Sequence, residues 1–156
     1  MDEYWLEMTT PVGKILLFAS ETALTSVDIS GNHTYLHGRS RPNPLLKRAE
    51  HQLQEYFLGT RKDFDIAMTP VGTDFQQRVW KTLQKIPYGE TCSYGQVAQA
   101  TGNPSAYRAV GSACRGNPIP IIIPCHRVVG SNGHLTGFGG GLNMKAWLLN
   151  HEGSDV

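Results

Sequence analysis

Cysteine is scarce in this chain of 156 residues, and its scarcity narrows the classes of protein to consider. The three cysteines are Cys92, Cys114 and Cys125, and no two of them form a CxxC pair. An odd number without paired spacing argues against a disulfide framework. We therefore expect free thiols and a reducing compartment inside the cell rather than a secreted protein.

Long hydrophobic runs and a strong net charge are also missing. No apolar stretch approaches the ~18 residues of a membrane span, and the acidic start lacks a secretory signal pattern. The 14 Lys and Arg residues almost balance the 13 Asp and Glu residues, for a formal net charge of +1. We expect no membrane partner, and this charge excludes the strongly basic surface of a tight duplex-binding protein.

The first part of the sequence predicts three short strands. Residues 4–8, 13–20 and 24–29 are rich in aromatic and β-branched side chains, and turn-forming residues separate them. Consecutive strands joined by short turns favour an antiparallel meander.

One amphipathic helix is expected after the strands. Apolar side chains recur at helical spacing over residues 44–58, and Gly59 marks the end of the pattern. Residues 60–72 have the composition of a linker. This division predicts an N-terminal α/β support domain over residues 1–68 and a second domain over residues 69–156.

The second domain predicts short helices with well-marked ends. Residues 73–76 and 93–96 have the spacing of capping boxes. A further helix is expected over residues 103–115, with Asn103 as its N-cap and Pro104 at its first position. The last two of these helices, joined by a short glycine-containing turn, form a helix-turn-helix pattern.

The exposed side of that last helix is small and basic. Arg108, Ser112 and Arg115 lie away from its apolar face, so the backbone of a polyanion could approach closely. Any surface helix can carry arginine on its solvated side, and many helical hairpins share this geometry. The pattern alone therefore indicates DNA only weakly.

The most informative segment is IPIIIPCHRVV, residues 119–129. A run of isoleucine bounded by proline predicts a short buried strand, at whose end Cys125 stands beside His126. Most buried cysteines are inert, but a core would not hold His126 and Arg127 without partners. An imidazole that takes the thiol proton would leave a nucleophilic thiolate. Because adjacent strand residues point to opposite faces, direct contact between the two side chains would require a local bend.

A carboxylate near the end of the chain could complete this pair. Glu152 lies just past a last predicted helix at about residues 143–151. If it were close to His126, it could orient the imidazole and stabilise its charged form, as the third group of a triad does.

Taken together, these motifs resemble the O6-alkylguanine-DNA alkyltransferases, also called methylated-DNA–protein-cysteine methyltransferases. The segment PCHRV at residues 124–128 matches the active-site signature of that family, and further motifs match in order and spacing across residues 70–152. The resemblance implies an α+β fold. A small N-terminal antiparallel sheet with a helix, ribonuclease-H-like, would precede a mostly helical C-terminal domain with a winged-helix-like helix-turn-helix.

The resemblance also implies DNA repair by direct reversal. In the family, a cysteine thiolate displaces the alkyl group from O6 of guanine in double-stranded DNA and keeps it, so each molecule acts once. Cys125 would be that acceptor and His126 the base, acting through a water. Glu152 would complete the chain, and Asn117 would brace the segment. We expect a monomer with no cofactor and no obligate protein partner; activity on O4-alkylthymine stays open.

The DNA contacts follow from the same resemblance. The target base must leave the stack, and Arg108 matches the arginine that fills the vacated space. Tyr94 matches the tyrosine that crowds the neighbouring phosphate and reaches the guanine. The second helix of the motif enters the minor groove, whose degenerate code suits a protein that needs little sequence preference. The other expected DNA-binding residues are Ser93, Ala109, Ser112 and Arg115, and the substrate-side residues are Tyr94, Phe138 and Gly139.

The sequence departs from the family in two places. The substrate loop commonly carries a tyrosine, whereas Phe138 lacks a hydroxyl and Gly139 leaves more room, so bulkier alkyl groups should be tolerated. Some relatives hold zinc through cysteines in the N-terminal domain, but the first cysteine here is Cys92, and we expect no metal. His33 and His37 have a metal-like interval and are interpreted as surface histidines.

Two other classes of protein remain open at this point. A cysteine hydrolase or acyltransferase would use Cys125, His126 and Glu152 but would turn over, and no motif for an acyl substrate accompanies them. A lesion-binding module without transfer activity would need the helix-turn-helix but not the acceptor thiol. The presence of Cys125 favours transfer.

Overall fold

The computed structural model describes residues 3–31 and 40–154. The chain divides into two compact units after Pro70. The interpretation of His33 and His37 falls outside the described residues and stays a prediction. Among the helices of the described ranges, none is long and apolar enough to cross a membrane.

A three-stranded antiparallel sheet forms the base of the first unit. Its strands are β1 (Tyr4–Thr10), β2 (Gly13–Ala19) and β3 (Leu24–Asp28), in the spatial order β1-β2-β3. The turn between β1 and β2 needs Gly13, whose φ of 111° is in the region that favours glycine. The predicted meander is confirmed.

Helix α1 (Pro44–Leu58) packs on β1 and β2. The Asn43 side chain accepts a hydrogen bond from the backbone N–H of Leu46 at 2.9 Å, and Gly59 ends the helix in a left-handed conformation. One stripe of the helix is buried and joins the apolar side chains of the strands in the core of this unit: Leu46, Ala49, Gln52, Leu53 and Tyr56.

The interpretation of residues 60–72 as a linker is wrong for most of that stretch. Leu24 donates its backbone N–H to Ala67 and accepts one from Thr69, both at 2.9 Å, which adds this segment to the edge of β3. The buried Gln52 side chain exchanges two further hydrogen bonds with the backbone of Asp65. Backbone pairing and one buried amide therefore hold a segment that its polar composition assigned to a linker.

The second unit is mostly helical and contains one pair of short parallel strands. Its helices are α2 (Asp74–Leu83), α3 (Tyr94–Ala100), α4 (Tyr107–Arg115) and α5 (Leu142–His151), and its strands are β4 (Cys92–Ser93) and β5 (Val128–Val129). Helices α3 and α4 pack together as the predicted helix-turn-helix. Both predicted capping boxes are present, at the starts of α2 and α3.

Helix α4 begins later than the sequence predicts. Asn103 and Pro104 are not its N-cap and first residue, because residues 103–106 form a separate turn in which Ala106 donates its N–H to the Asn103 carbonyl at 3.0 Å. The Asn103 side chain accepts from the Ser105 hydroxyl and does not cap the helix. A local Asx hydrogen bond has thus replaced the cap that the sequence offers.

One buried hydrogen bond holds α4 against α2. The indole N–H of Trp80 donates to the Ala113 carbonyl at 2.9 Å, and both residues are almost fully buried. This fixes the helix that carries Arg108 against the largest side chain of the core.

Candidate active site

The isoleucine-rich segment does not form the predicted strand. Only Val128–Val129 pairs as a strand, and the residues before it turn back on themselves, with Ile123 donating its N–H to the Ile119 carbonyl at 2.9 Å. Ile121 lies at φ 74°, a left-handed conformation that is rare for a β-branched residue. Pro120 and Pro124 have no N–H to offer a sheet, so a local turn replaces the ladder.

Asn117 holds this turn from inside. Its side-chain amide donates to the Ile123 carbonyl at 2.8 Å, and its side-chain oxygen accepts the Ile119 N–H at 2.9 Å. A single amide thus satisfies two backbone groups next to the cysteine. Asn117 thus contacts the turn that stands in place of the expected strand, and its catalytic role stays a prediction.

A 3-10 helix (Cys125–Arg127) follows, so the backbone bends where the sequence predicts a strand. Within it, Cys125 is 6% exposed and His126 is fully buried. Because successive residues of a 3-10 helix are about a third of a turn apart, their side chains do not point to opposite faces as they would in a strand.

Glu152, the residue that ends α5, connects His126 to Arg127. Its carboxylate accepts a hydrogen bond from His126 Nε2 at 2.7 Å and two from Arg127, from Nε at 2.7 Å and Nη2 at 3.1 Å. Arg127 also donates to the Ile86 carbonyl at 2.7 Å. Glu152 and His126 are therefore in direct contact, which the sequence alone could not establish.

The other imidazole nitrogen of His126, Nδ1, is in a different state. Because Glu152 fixes a proton on Nε2, the neutral ring carries a lone pair on Nδ1. Nδ1 is buried and has no hydrogen-bond partner among the described residues. Burial lowers the pKa of His126, against the opposing effect of Glu152, so the resting ring is neutral. A buried neutral imidazole with one unprotonated nitrogen can accept a proton.

Burial has the opposite effect on Cys125, whose pKa it raises. A hydrogen bond from the Asn117 side chain and the positive charge of Lys145 lower that pKa in part. The neighbouring Cys114 lies on α4, and burial raises its pKa to about 12. Both resting thiols are therefore protonated, and only Cys125 has groups that stabilise a thiolate by hydrogen bonding.

Lys145 is a buried cation inside α5. Its ammonium donates to the Val128 carbonyl at 2.6 Å and to the Thr136 carbonyl at 3.2 Å. Val128 directly follows the 3-10 helix, and Thr136 belongs to the loop over residues 130–141. The ammonium thus ties that loop to the cysteine segment.

A surface cavity of about 430 Å³ opens beside this loop. Helix α4 supplies one side of it, and the loop supplies the other. Its lining residues are Tyr94, Tyr107, Arg108, Gly111, Ser112, Arg115, Thr136 and Gly137. The Tyr94 hydroxyl contacts the Thr136 hydroxyl, and burial raises the pKa of Tyr94, so the phenol stays protonated and can donate.

The predicted DNA and substrate residues have different environments. The structure brings Tyr94, Arg108, Ser112 and Arg115 together in the cavity lining, and Ala109 is exposed on the same helix. The Ser93 hydroxyl caps α3 by accepting the Gln96 N–H at 3.0 Å. Phe138 is half-buried and Gly139 is exposed, and neither is among the residues that line this cavity.

Sequence reasoning missed the contacts of three residues. Arg127 was seen only as a polar group in need of a partner, and Lys145 and Thr136 had no predicted contact at all. A signal for Lys145 existed, because it lies three and four residues before Leu148 and Leu149 and so shares their buried face. A lysine on an apolar stripe indicates a buried acceptor. Thr136 lies in a polar loop without such a signal.

The described residues contain no cluster of three or more His, Cys, Asp or Glu side chains that could hold a metal ion. The side chains around Cys125 instead form a chain of hydrogen-bond donors and acceptors. Their chemistry is that of proton transfer and nucleophilic attack.

Two family models match the chain. The ribonuclease-like domain of 6-O-methylguanine DNA methyltransferase matches residues 4–70, and the DNA-binding domain matches residues 74–154. A methylated-DNA–protein-cysteine methyltransferase of Methanosarcina acetivorans is 43% identical over 160 residues, which covers 97% of this chain and 99% of that protein. The constitutive enzyme of Bacillus subtilis is 42% identical over 156 residues, 96% and 94% of the two chains.

Solved structures agree with these matches. The O6-methylguanine methyltransferase of Mycobacterium tuberculosis superposes with a TM-score of 0.87 at 44% identity, covering 97% of this chain and 93% of that one. The OGT of the same organism in complex with DNA superposes with a TM-score of 0.86 at 46% identity, covering 95% and 91%. The chain described here therefore belongs to the 6-O-methylguanine DNA methyltransferase family.

Proposed function

We propose that this protein repairs DNA by moving the alkyl group of an O6-alkylguanine onto Cys125, once per molecule. The observation that carries the proposal is the buried pair of His126, directly after Cys125, and Glu152, at the end of the last helix: the carboxylate fixes one ring nitrogen, and the other is buried without a hydrogen-bond partner among the described residues. The family relatives named for this reaction, and one solved in complex with DNA, support the same substrate.

The first step removes the thiol proton. Cys125 Sγ–H loses its proton to His126 Nδ1, through a water between them. The resulting imidazolium keeps its Nε2–H on the Glu152 carboxylate, whose negative charge stabilises it. The thiolate is stabilised by the Asn117 hydrogen bond and the charge of Lys145. Burial delays ionisation until substrate is bound, which protects the thiol from other electrophiles.

The second step is a displacement at saturated carbon. The thiolate electron pair forms the S–C bond as the C–O6 bond breaks, and its electrons move into the guanine. A hydrogen bond from the protonated Tyr94 hydroxyl stabilises the negative charge that develops on the base. The guanine anion takes up one proton and the His126 imidazolium releases the one that it took from Cys125, so guanine is restored and the imidazole is neutral again. No cofactor is needed, because the thiolate supplies the electron pair and the guanine accepts it.

The product explains why each molecule acts once. Alkylated Cys125 is a thioether, a neutral group without a leaving atom that water or a second thiol could displace under mild conditions. A cysteine hydrolase would instead form a thioester that water releases. The stoichiometry of the reaction therefore separates the two classes.

The helix-turn-helix presents the lesion to the cysteine. Guanine inside a duplex is out of reach, so the nucleotide must rotate out of the stack. Arg108 and Arg115 give the cavity edge a positive charge that attracts the phosphate backbone, and the small residues of α4 allow close approach to the minor groove. The substrate, duplex DNA with O6-alkylguanine, places the protein in the compartment that holds the genome.

Intact-protein mass tests the proposed function. After incubation with excess duplex DNA containing O6-methylguanine, the wild type should gain the mass of one methylene group, mapped to Cys125, and should then stop reacting. Cys125→Ser should bind the same DNA and gain nothing. Lesion-selective binding of the wild type without a mass gain would contradict transfer, and continued turnover would point to a hydrolytic enzyme.

The lowered pKa of His126 should leave the transfer rate independent of pH near neutrality and make the free energy of unfolding depend on pH. The neutral ring persists in the folded protein as the pH falls through the ordinary histidine value of about 6.5, so the transfer rate should stay constant from pH 7.5 to about 6. The unfolded chain gains a proton there and the folded chain does not. The free energy of unfolding should therefore fall as the pH falls, by up to about 1.4 kcal/mol per pH unit.

Single-turnover kinetics and urea titration at each pH measure these two quantities. The variant His126→Gln removes this group while the other five histidines remain. Its free energy of unfolding should therefore depend less on pH than that of the wild type. A transfer rate that declines with an apparent pKa at or above the ordinary histidine value would contradict the buried neutral base.

Replacing the buried ammonium should loosen the loop over residues 130–141. In Lys145→Met, the Val128 and Thr136 carbonyls lose their donor, which should lower the free energy of unfolding by about 2–4 kcal/mol. Protease cleavage within the loop should accelerate. Transfer should slow about tenfold for each unit by which the Cys125 pKa rises.

Lys81→Met, which removes an exposed lysine from α2, is the matched control and should leave all three measurements unchanged. If Lys145→Met resembled this control, the ammonium would have no anchoring role.

A further inference from the structure

Tyr107 is a large aromatic side chain on a surface otherwise made of small and basic residues. It is the first residue of α4 and remains 49% exposed. The other exposed residues of that helix are Arg108, Ala109, Ser112 and Arg115. A minor groove accommodates small residues easily, so a half-exposed tyrosine among them requires an explanation in terms of the DNA.

The tyrosine ring lies next to the arginine that is proposed to fill the vacated base position. The guanidinium carbon of Arg108 is 5.9 Å from the centroid of the Tyr107 ring, within the range of a cation–π contact. Both side chains line the same 430 Å³ cavity, together with Tyr94. The ring thus lines the cavity to which the proposed function assigns the extruded nucleotide.

We propose that Tyr107 is a second positioning residue for base extrusion, whose ring stacks against the base pair next to the vacated position while Arg108 enters it. This inference rests on the proposed function. It adds an aromatic wedge to the arginine, on the same turn of α4.

The physical reason is the loss of stacking when a nucleotide leaves the duplex. The neighbouring base pairs lose a partner, and a guanidinium plane covers only part of each exposed face. An aromatic ring stacks on any base, which suits a protein that must find a lesion in any sequence. Proteins that kink DNA from the minor groove likewise insert large apolar side chains between base steps. Contact with the ring also restricts the long Arg108 side chain before DNA binds, so that side chain loses less conformational entropy when it enters the duplex.

Two substrates separate a role in extrusion from a role in chemistry. In a single-stranded oligonucleotide the O6-methylguanine is not held between paired neighbours, so there is no vacancy to stabilise. Methyl transfer to Cys125 should be measured in single-turnover experiments on this strand and on the matching duplex. Tyr107→Ala should react at least about fivefold more slowly on the duplex, the loss expected from one stacking contact. On the single strand it should stay within about twofold of the wild type, as surface substitutions do.

Two further variants complete the test. Tyr107→Phe retains the ring and should match the wild type on both substrates. Leu58→Ala removes a comparably apolar, exposed side chain from α1 and should change neither rate. A duplex rate of Tyr107→Ala equal to the wild type would overturn the inference. So would an equal loss on both substrates, which would place the ring in the guanine pocket. If the wild type transferred no methyl group to either substrate, the proposed function itself would fail, and the inference with it.

Discussion

The burial of the Glu152 carboxylate against His126 and Arg127 is the interaction on which the site depends. A buried carboxylate without partners would cost several kcal/mol, and here two neighbours in sequence supply an imidazole and a guanidinium at 2.7 Å. Those neighbours can converge on one carboxylate because residues 125–127 form a 3-10 helix. The same contact fixes the protonated nitrogen of His126 and leaves Nδ1, the nitrogen proposed as the base, without a hydrogen-bond partner among the described residues. One buried carboxylate therefore both stabilises the local structure and sets the protonation of His126.

The environment of Cys125 balances protection against reactivity. Burial raises the pKa of its thiol and keeps it from indiscriminate oxidation or alkylation. Asn117 and Lys145 lower that pKa in part, and each of them also holds backbone that surrounds the cysteine. Because the groups that stabilise the thiolate also build the pocket, a nucleophile that reacts once can be stored in an inert form.

The sequence predicted the architecture well and the local geometry of the site poorly. Strands, α1 and both capping boxes followed from periodicity and cap residues, which act over a few neighbours. The turn at residues 119–123 and the late start of α4 did not, since both depend on which acceptor a short polar side chain finds: Asn117 in the first case, Asn103 in the second. Glu152 and His126 are 26 residues apart in sequence. A family motif led to the expectation that they lie close together, but it could not give the distance between their atoms. The segment after α1 was misjudged because its pairing partner, β3, is distant in sequence.

The protonation state of His126 is the most direct test of this account. In protein labelled with nitrogen-15 in its histidines, magnetic resonance distinguishes protonated from bare ring nitrogens, and His126→Gln identifies the resonances. At neutral pH in the unreacted protein, Nε2 should carry a proton and Nδ1 should carry none. A doubly protonated ring, or a proton on Nδ1 with Nε2 bare, would contradict it, because His126 could then not accept the proton of Cys125.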